Sequence, residues 1–248
     1  MITLALKNLT VFAPRGDSGL SAGKKKIIEN LDFNFEQGKI YALMGPNGSG
    51  KSTLAMAIVG HPGYRVSKNS KIIFEKKAIK NLAPEKRAGL GLFLSFQHPF
   101  SLSGVNVFQL LRKALEGKID SGLLYQQTRK LAKLLKIKEE LLERSLNEGF
   151  SGGEKKKMEV LQASLLDPKF LIFDEIDTGV DVDSLRLIAG LLKKFRKQKK
   201  TVLLITHYNR ILKYLKPDKV LVIKDGQLAK VGDFKLAQSI EKYGYQKI

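Results

Sequence analysis

The stretch KIYALMGPNGSGKSTLAMAIVG, Lys39–Gly60, decides the fold. Its first seven residues read as a buried strand ending in glycine. A helix pattern starts at Lys51 and ends near Gly60. Between them, Gly45–Thr53 fit the spacing G-x-x-x-x-G-K-[ST] of a phosphate loop, with the strand before and helix after that the motif requires. The chemistry follows from the residue types. Gly45, Gly48 and Gly50 permit backbone shapes that side chains would block, so N–H groups along Gly45, Pro46, Asn47, Gly48, Ser49, Gly50, Lys51, Ser52 and Thr53 can converge on phosphate oxygens, proline excepted. The helix adds its positive N-terminus. Lys51 supplies countercharge for β- and γ-phosphates, and Ser52 offers a hydroxyl to Mg²⁺.

Outward from this stretch, short apolar runs alternate with helical patterns. ITLALKNLTVF and IIENLDFNF alternate as strands do, and SKIIFEKKAI reads as a short strand pair. FLSF, FLIFDE and TVLLITH read as buried strands. Residues 105–146 carry helical spacing, and KVLVIKDGQLAKVGD is a hairpin turning at Asp225–Gly226. Strands interleaved with helices imply a mainly parallel α/β sheet covered on both faces. Ala13 to Lys26 read as a long polar loop.

FLIFDE ends in two carboxylates, which a buried strand does not carry for packing reasons. Asp174 is placed to hold Mg²⁺ through water, and Glu175 to polarise an attacking water. In EGFSGGEKKKMEV, Ser151, Gly152, Gly153 and Glu154 open another helix, a second candidate phosphate turn.

The chain has 248 residues, 43% of them apolar and 27% charged, enough for one large α/β unit. No apolar run is long enough to span a membrane, and no signal-peptide pattern opens the chain. With no cysteine, disulfides and thiolate metal sites are excluded, and a reducing cytoplasm is the simple expectation. The net charge of +20 fits either a lysine-rich solvated surface or an anionic partner. Few aromatics lie among the lysines, so no nucleic acid is expected.

The motif order is informative as a whole: phosphate loop at Gly45, Gln97 after a strand, FSGGE at Phe150, FDE at Phe173, TGVD at Thr178 and ITH at Ile205. In that order the chain resembles an ABC-type ATPase over essentially its whole length. The resemblance implies a RecA-like, mainly parallel core sheet with an antiparallel β subdomain and an α-helical subdomain. It implies one domain over 1–248, with a core near 1–97 and 169–248 and a helical part near 98–168. It also implies that two copies sandwich two ATP molecules, each between one copy's phosphate loop and the other's Ser151–Glu154. Gln97 would touch Mg²⁺ and the lytic water, His207 the γ-phosphate, and Asp181 the dimer interface. Phe12 would either stack on adenine or sit as a core residue.

Within the family, FSGGEKKKMEVLQ, DEIDTGVDVDSL, ITHYNRIL and LAQSIEKYGY look like the branch that serves SUF iron–sulfur cluster assembly. Glu154, the absence of proline after Glu175 and the HY-x-R text favour that branch over transport ATPases. The implied partners are the scaffold proteins SufB and SufD, contacted near Gln97 and residues 98–107, with no insertion into a membrane. The alternatives are an importer's ATPase subunit and a nucleic-acid or ribosome-associated relative. Lys156 either pairs with Glu175 and restrains it at rest or stands on a solvated helix face.

Overall fold

The computed structural model describes residues 1–13 and 25–247, so the polar stretch read as a long loop falls almost wholly outside the described residues. Strand β1 (Ile2–Phe12) pairs antiparallel with β2 (Lys26–Glu36). There follow β3 (Ile40–Met44), α1 (Lys51–Val59), β4 (Arg65–Val66), β5 (Lys71–Phe74), β6 (Lys77–Ala78), α2 (Pro84–Leu90) and β7 (Leu92–Ser95). A run of four helices comes next: α3 (Val107–Ala114), α4 (Ser121–Leu134), α5 (Glu140–Glu143) and α6 (Gly152–Leu166). The chain then continues through β8 (Phe170–Asp174), α7 (Val182–Lys197), β9 (Thr201–Ile205), α8 (Asn209–Leu215), β10 (Lys219–Lys224), β11 (Gln227–Gly232) and α9 (Phe234–Tyr243).

The elements form two sheets. One runs β2-β1-β5-β6, with β4 also on β1, and all its pairings are antiparallel. The other runs β11-β10-β3-β9-β8-β7 and is parallel except at its β10–β11 hairpin. The expected parallel sheet is therefore present, flanked by a smaller antiparallel one.

Strands β3, β8 and β9 are buried along their whole length, which is why they read as unbroken apolar runs. Their side chains still alternate. Ile40, Ala42, Leu171, Phe173, Val202 and Leu204 face a core shared with the helices. Tyr41, Leu43, Phe170, Ile172, Leu203 and Ile205 face a second core beneath the antiparallel sheet and α1. In that second core Phe35 meets Tyr41 at 5.0 Å and Phe170 at 5.2 Å, edge to face. Each such pair contributes roughly 1 kcal/mol beyond area burial.

The helical stretch expected over 105–146 breaks into α3, α4 and α5, with Gly117 (φ 74°) and Lys136 (φ 51°) in the breaks. The hairpin turn reads as expected. Asp225 (φ 50°) and Gly226 (φ 77°) are both left-handed, and Lys224 pairs with Gln227.

Candidate active site

The loop between β3 and α1 wraps into a cradle. Gly45 (φ 158°) lies so close to β10 that a Cβ there would meet the Ile223 carbonyl oxygen at 2.2 Å. Gly50 (φ 104°) caps α1 in a left-handed conformation, and its Cβ would meet Ile28 Cδ1 at 2.6 Å. Only glycine fits either place. Lys51 is buried and folds back on the loop, donating to the carbonyls of Gly45 (2.9 Å) and Pro46 (2.8 Å). Its burial holds the ammonium below the ordinary lysine range, with Asp174 and Glu175 pulling the other way.

Asn47, Gly48, Gly50, Lys51, Ser52 and Thr53 line a cavity of about 1050 Å³, together with Gln97, Glu175 and His207. Gly45, Pro46 and Ser49 form the loop's base and do not line it; Ser49 Oγ is buried without a partner. Sequence reasoning missed one wall. The turn Asp225–Gly226 packs on β2, with Glu29 N donating to Gly226 O at 2.9 Å, and closes the cavity beside Ile27. The hairpin meets the phosphate loop only in the fold, where the Ile223 carbonyl of β10 lies against Gly45.

Asp174 ends β8 and Glu175 follows it. Burial raises the Asp174 carboxyl, a Ser52 hydrogen bond opposes this, and Glu175 adds to it. Asp174 Oδ1 is buried with no hydrogen-bond partner. A buried, unpartnered carboxylate oxygen beside a serine hydroxyl fits a hydrated divalent cation. Glu175 is left-handed (φ 53°), and its N–H donates to Ile205 O at 2.9 Å. The carboxylate takes a hydrogen bond from Gln97 Nε2 at 2.9 Å and lies 3.3 Å from His207 Nε2. Burial first, then Lys51, hold His207 below the usual imidazole range, against the pull of Glu175. Three residues that the sequence reading brings together thus touch at the ends of β7, β8 and β9.

Ser151 caps α6 through a capping box: Glu154 N donates to Ser151 Oγ, and Glu154 Oε2 accepts from Ser151 N at 2.8 Å. That backbone contact holds the Glu154 carboxyl low. Glu154 therefore has a local duty that the motif alone does not reveal. Ser151–Glu154 do not line the cavity. A Cβ on Gly152 would meet nothing within 4 Å, and one on Gly153 would meet only Gly179 O at 3.7 Å. Among the described residues nothing requires glycine at these two places.

Lys156 departs from both sequence readings. It is 4% exposed, so it is not on a solvated face, and it does not pair with Glu175. Its ammonium donates to the carbonyls of Phe96 (2.9 Å), Gln97 (3.1 Å) and Asp174 (3.4 Å), and lies 3.6 Å from Glu159 Oε2. Glu159, which the sequence reading missed, is also buried and accepts from Ser95 Oγ (2.7 Å) and Phe96 N (2.9 Å). The i,i+3 spacing of Lys156 and Glu159 was the available signal. Together they fasten α6 to the ends of β7 and β8.

Asp181 caps α7, accepting from Ser184 N (2.8 Å) and Ser184 Oγ (2.6 Å), which holds its carboxyl low. Phe12 does not line the cavity, and the Arg65 guanidinium covers its ring at 4.2 Å. Asp177 is buried and accepts from Thr206 Oγ1, at 3.0 and 2.9 Å to its two oxygens; burial pushes its carboxyl up to about 6. This pair ties the segment after Glu175 to the residue before His207.

Known proteins resemble the chain in sequence and in fold. A family model described as "ABC transporter" matches residues 28–178. The chain is 40% identical over 252 residues to "Probable ATP-dependent transporter ycf16" of Antithamnion sp., covering 98% of this chain and 96% of that protein. It is 41% identical over 230 residues to "Vegetative protein 296" of Bacillus subtilis (strain 168), covering 90% and 88%. A solved nucleotide-free ATP-binding cassette from an ABC transporter superposes with a TM-score of 0.76 at 24% identity, covering 100% of this chain and 99% of that one. A dimeric cassette in a post-hydrolysis state, bound to ADP and Pi, superposes with a TM-score of 0.77 at 18% identity, covering 93% and 98%.

Proposed function

Because the chain belongs to the ABC transporter family and is an ATPase of that kind, we propose that it works as a pair of identical cassettes closing on two ATP molecules, in the manner of SufC. Each cassette is read as one ABC unit over the whole chain. The observation that carries the paired site is the placement of Ser151–Glu154: they lie off the cavity, a Cβ on Gly152 would meet nothing within 4 Å, and one on Gly153 would make only an ordinary contact with Gly179 O among the described residues. Glycines that the fold does not need leave room for a ligand brought from outside, and the capped start of α6 offers it free N–H groups. A second copy's ATP is that ligand.

In this reading Gly45–Thr53 hold the phosphates, Lys51 turns from its own loop carbonyls to the β- and γ-oxygens, and His207, neutral at pH 7, contacts the γ-phosphate. Glu175 accepts the proton of the attacking water. Ser52, Gln97 and Asp174 are the residues that would hold Mg²⁺; Gln97 uses its amide nitrogen on Glu175, so its oxygen is the atom left for the cation. Bound with ATP, Mg²⁺ neutralises phosphate charge. Asp181 would reach the partner copy. Adenine stacking by Phe12 would require Arg65 to leave its ring.

The role we propose is cytoplasmic iron–sulfur cluster assembly, with ATP-driven pairing remodelling a SufB–SufD scaffold. The sequence text around Glu154, Glu175 and His207 supports it. So does the segment after Gln97, where Phe100 is 72% exposed, a strong candidate for burial by a partner. The competing reading, an importer's ATPase subunit, is favoured by the transporter names of the relatives. Among the described residues no helix is long and apolar enough to cross a membrane, so an importer's membrane-spanning part would lie outside them. A pull-down of purified SufB–SufD with wild type and Phe100→Asp separates the two. Capture by wild type and loss in the variant support the SUF role; no capture by wild type contradicts it.

A further inference from the structure

Gly45 is buried at the base of the phosphate loop and does not line the cavity that Asn47, Gly48 and Gly50–Thr53 line. Its N–H has a partner 200 residues away: Tyr245 Oη accepts from it at 3.1 Å. Tyr245 follows α9, where Gly244 (φ 71°) ends the helix and turns the chain back towards the sheet. Its ring packs on the helical-side core, and Lys224, at the end of β10, reaches its carbonyl oxygen at 3.5 Å. The phenol is pushed above its ordinary range by burial, and the Gly45 hydrogen bond opposes this.

Helix α9 has a second attachment. Asn209, two residues after His207 and 2% exposed, donates to Ala237 O at 2.8 Å and to Glu241 Oε2 at 3.0 Å. One helix therefore fastens both segments that face the γ-phosphate: the phosphate loop at its first residue, and the start of the helix that follows His207.

We propose that α9 and the turn after it brace the nucleotide site, with Tyr245 as a positioning residue that pre-sets the phosphate loop through Gly45 N–H. A buried donor must be paired. Without Tyr245 Oη, Gly45 N–H has to find water, and the loop's base leaves its tight seat against Ile223. The loop's shape must then be restored each time ATP binds, which weakens binding without touching the reacting atoms. The brace rests on the assignment of Gly45–Thr53 as the ATP loop.

The test uses the full chain. Wild type is assayed for ATP binding, and a failure to bind overturns the site assignment itself. Hydrogen exchange of the Gly45 amide in nucleotide-free wild type should be slow; rapid exchange overturns the brace. Tyr245→Phe keeps the ring and removes the acceptor. It should raise the KM and Kd for MgATP about five-fold, the scale of one lost hydrogen bond, with kcat within about two-fold. Gly45 exchange should speed up at the same time. Unchanged Kd, or weaker binding with Gly45 exchange unaltered, overturns the proposal.

Discussion

Gln97 Nε2 donates to Glu175 Oε2 at 2.9 Å, joining the ends of neighbouring parallel strands. The contact follows from topology. Ser95 and Phe173 stand opposite in the register of β7 and β8, and two residues beyond each the chain reaches Gln97 and Glu175. The carboxylate that would take the water's proton is therefore already read by the residue whose following segment exposes Phe100. Glu175→Gln keeps the shape and removes the basicity. Hydrolysis should fall by about 10²–10⁴-fold, the usual range for a general base, while ATP still binds. Phosphate release and nucleotide titration check the two halves of that statement.

His207 should give a shifted pH limb. Its imidazole is held below the ordinary value of 6.5, so it is neutral at pH 7 and gains its proton only at lower pH. The kcat/KM for MgATP, which reports the nucleotide-free enzyme, should be level between pH 8 and 7 and fall with a midpoint under 6.5. His207→Gln should lose that limb. A wild-type midpoint above 6.5 would contradict the burial and Lys51 argument.

Asp177 should make stability depend on pH in the opposite sense to an ordinary surface carboxylate. Its folded value is raised from 3.8 to about 6, so the folded state binds the proton more tightly than the unfolded chain. The contribution is complete below 3.8 and lost as pH rises through about 6. Above pH 7 the ionised group costs roughly 3 kcal/mol relative to a group without that shift. Asp177→Asn keeps an acceptor for Thr206. Denaturant unfolding should show the variant gaining on wild type between pH 5 and pH 8, and an equal difference at both would refute the linkage.

Lys156 separates a fastening from a restraint. Lys156→Met keeps most of the bulk but leaves Glu159 buried without its cation, which should destabilise the protein by about 3 kcal/mol. Turnover should fall with it, because Phe96, Gln97 and Asp174 lose a shared donor. A restraint on Glu175 would show the reverse: higher basal turnover at unchanged stability.

Most of the fold was legible because its signals are local. The phosphate loop, the fully buried strands and the Asp225–Gly226 turn each declare themselves within ten residues. Glu175, Gln97 and His207 could be named because each lies within two residues after a recognisable strand. Long-range pairing was not legible. Lys156 read either as a partner of Glu175 or as one of three surface lysines, and only the packing of α6 shows that it turns inward onto the carbonyls of Phe96, Gln97 and Asp174. Tyr245 and Gly45 lie at opposite ends of the chain, and no periodicity connects them. Phe12 read as either an adenine platform or a core residue, and no local signal announced that Arg65 would cover its ring.

The central claim is that this chain carries two half-sites and that a second copy completes each. Sedimentation of Glu175→Gln with and without MgATP tests it most directly. The account predicts the mass of one chain without nucleotide and of two chains with it, with the pairing lost when Ser151→Arg is added. A single-chain mass with ATP bound at every protein concentration, alongside a wild-type turnover per chain that does not depend on concentration, would contradict it.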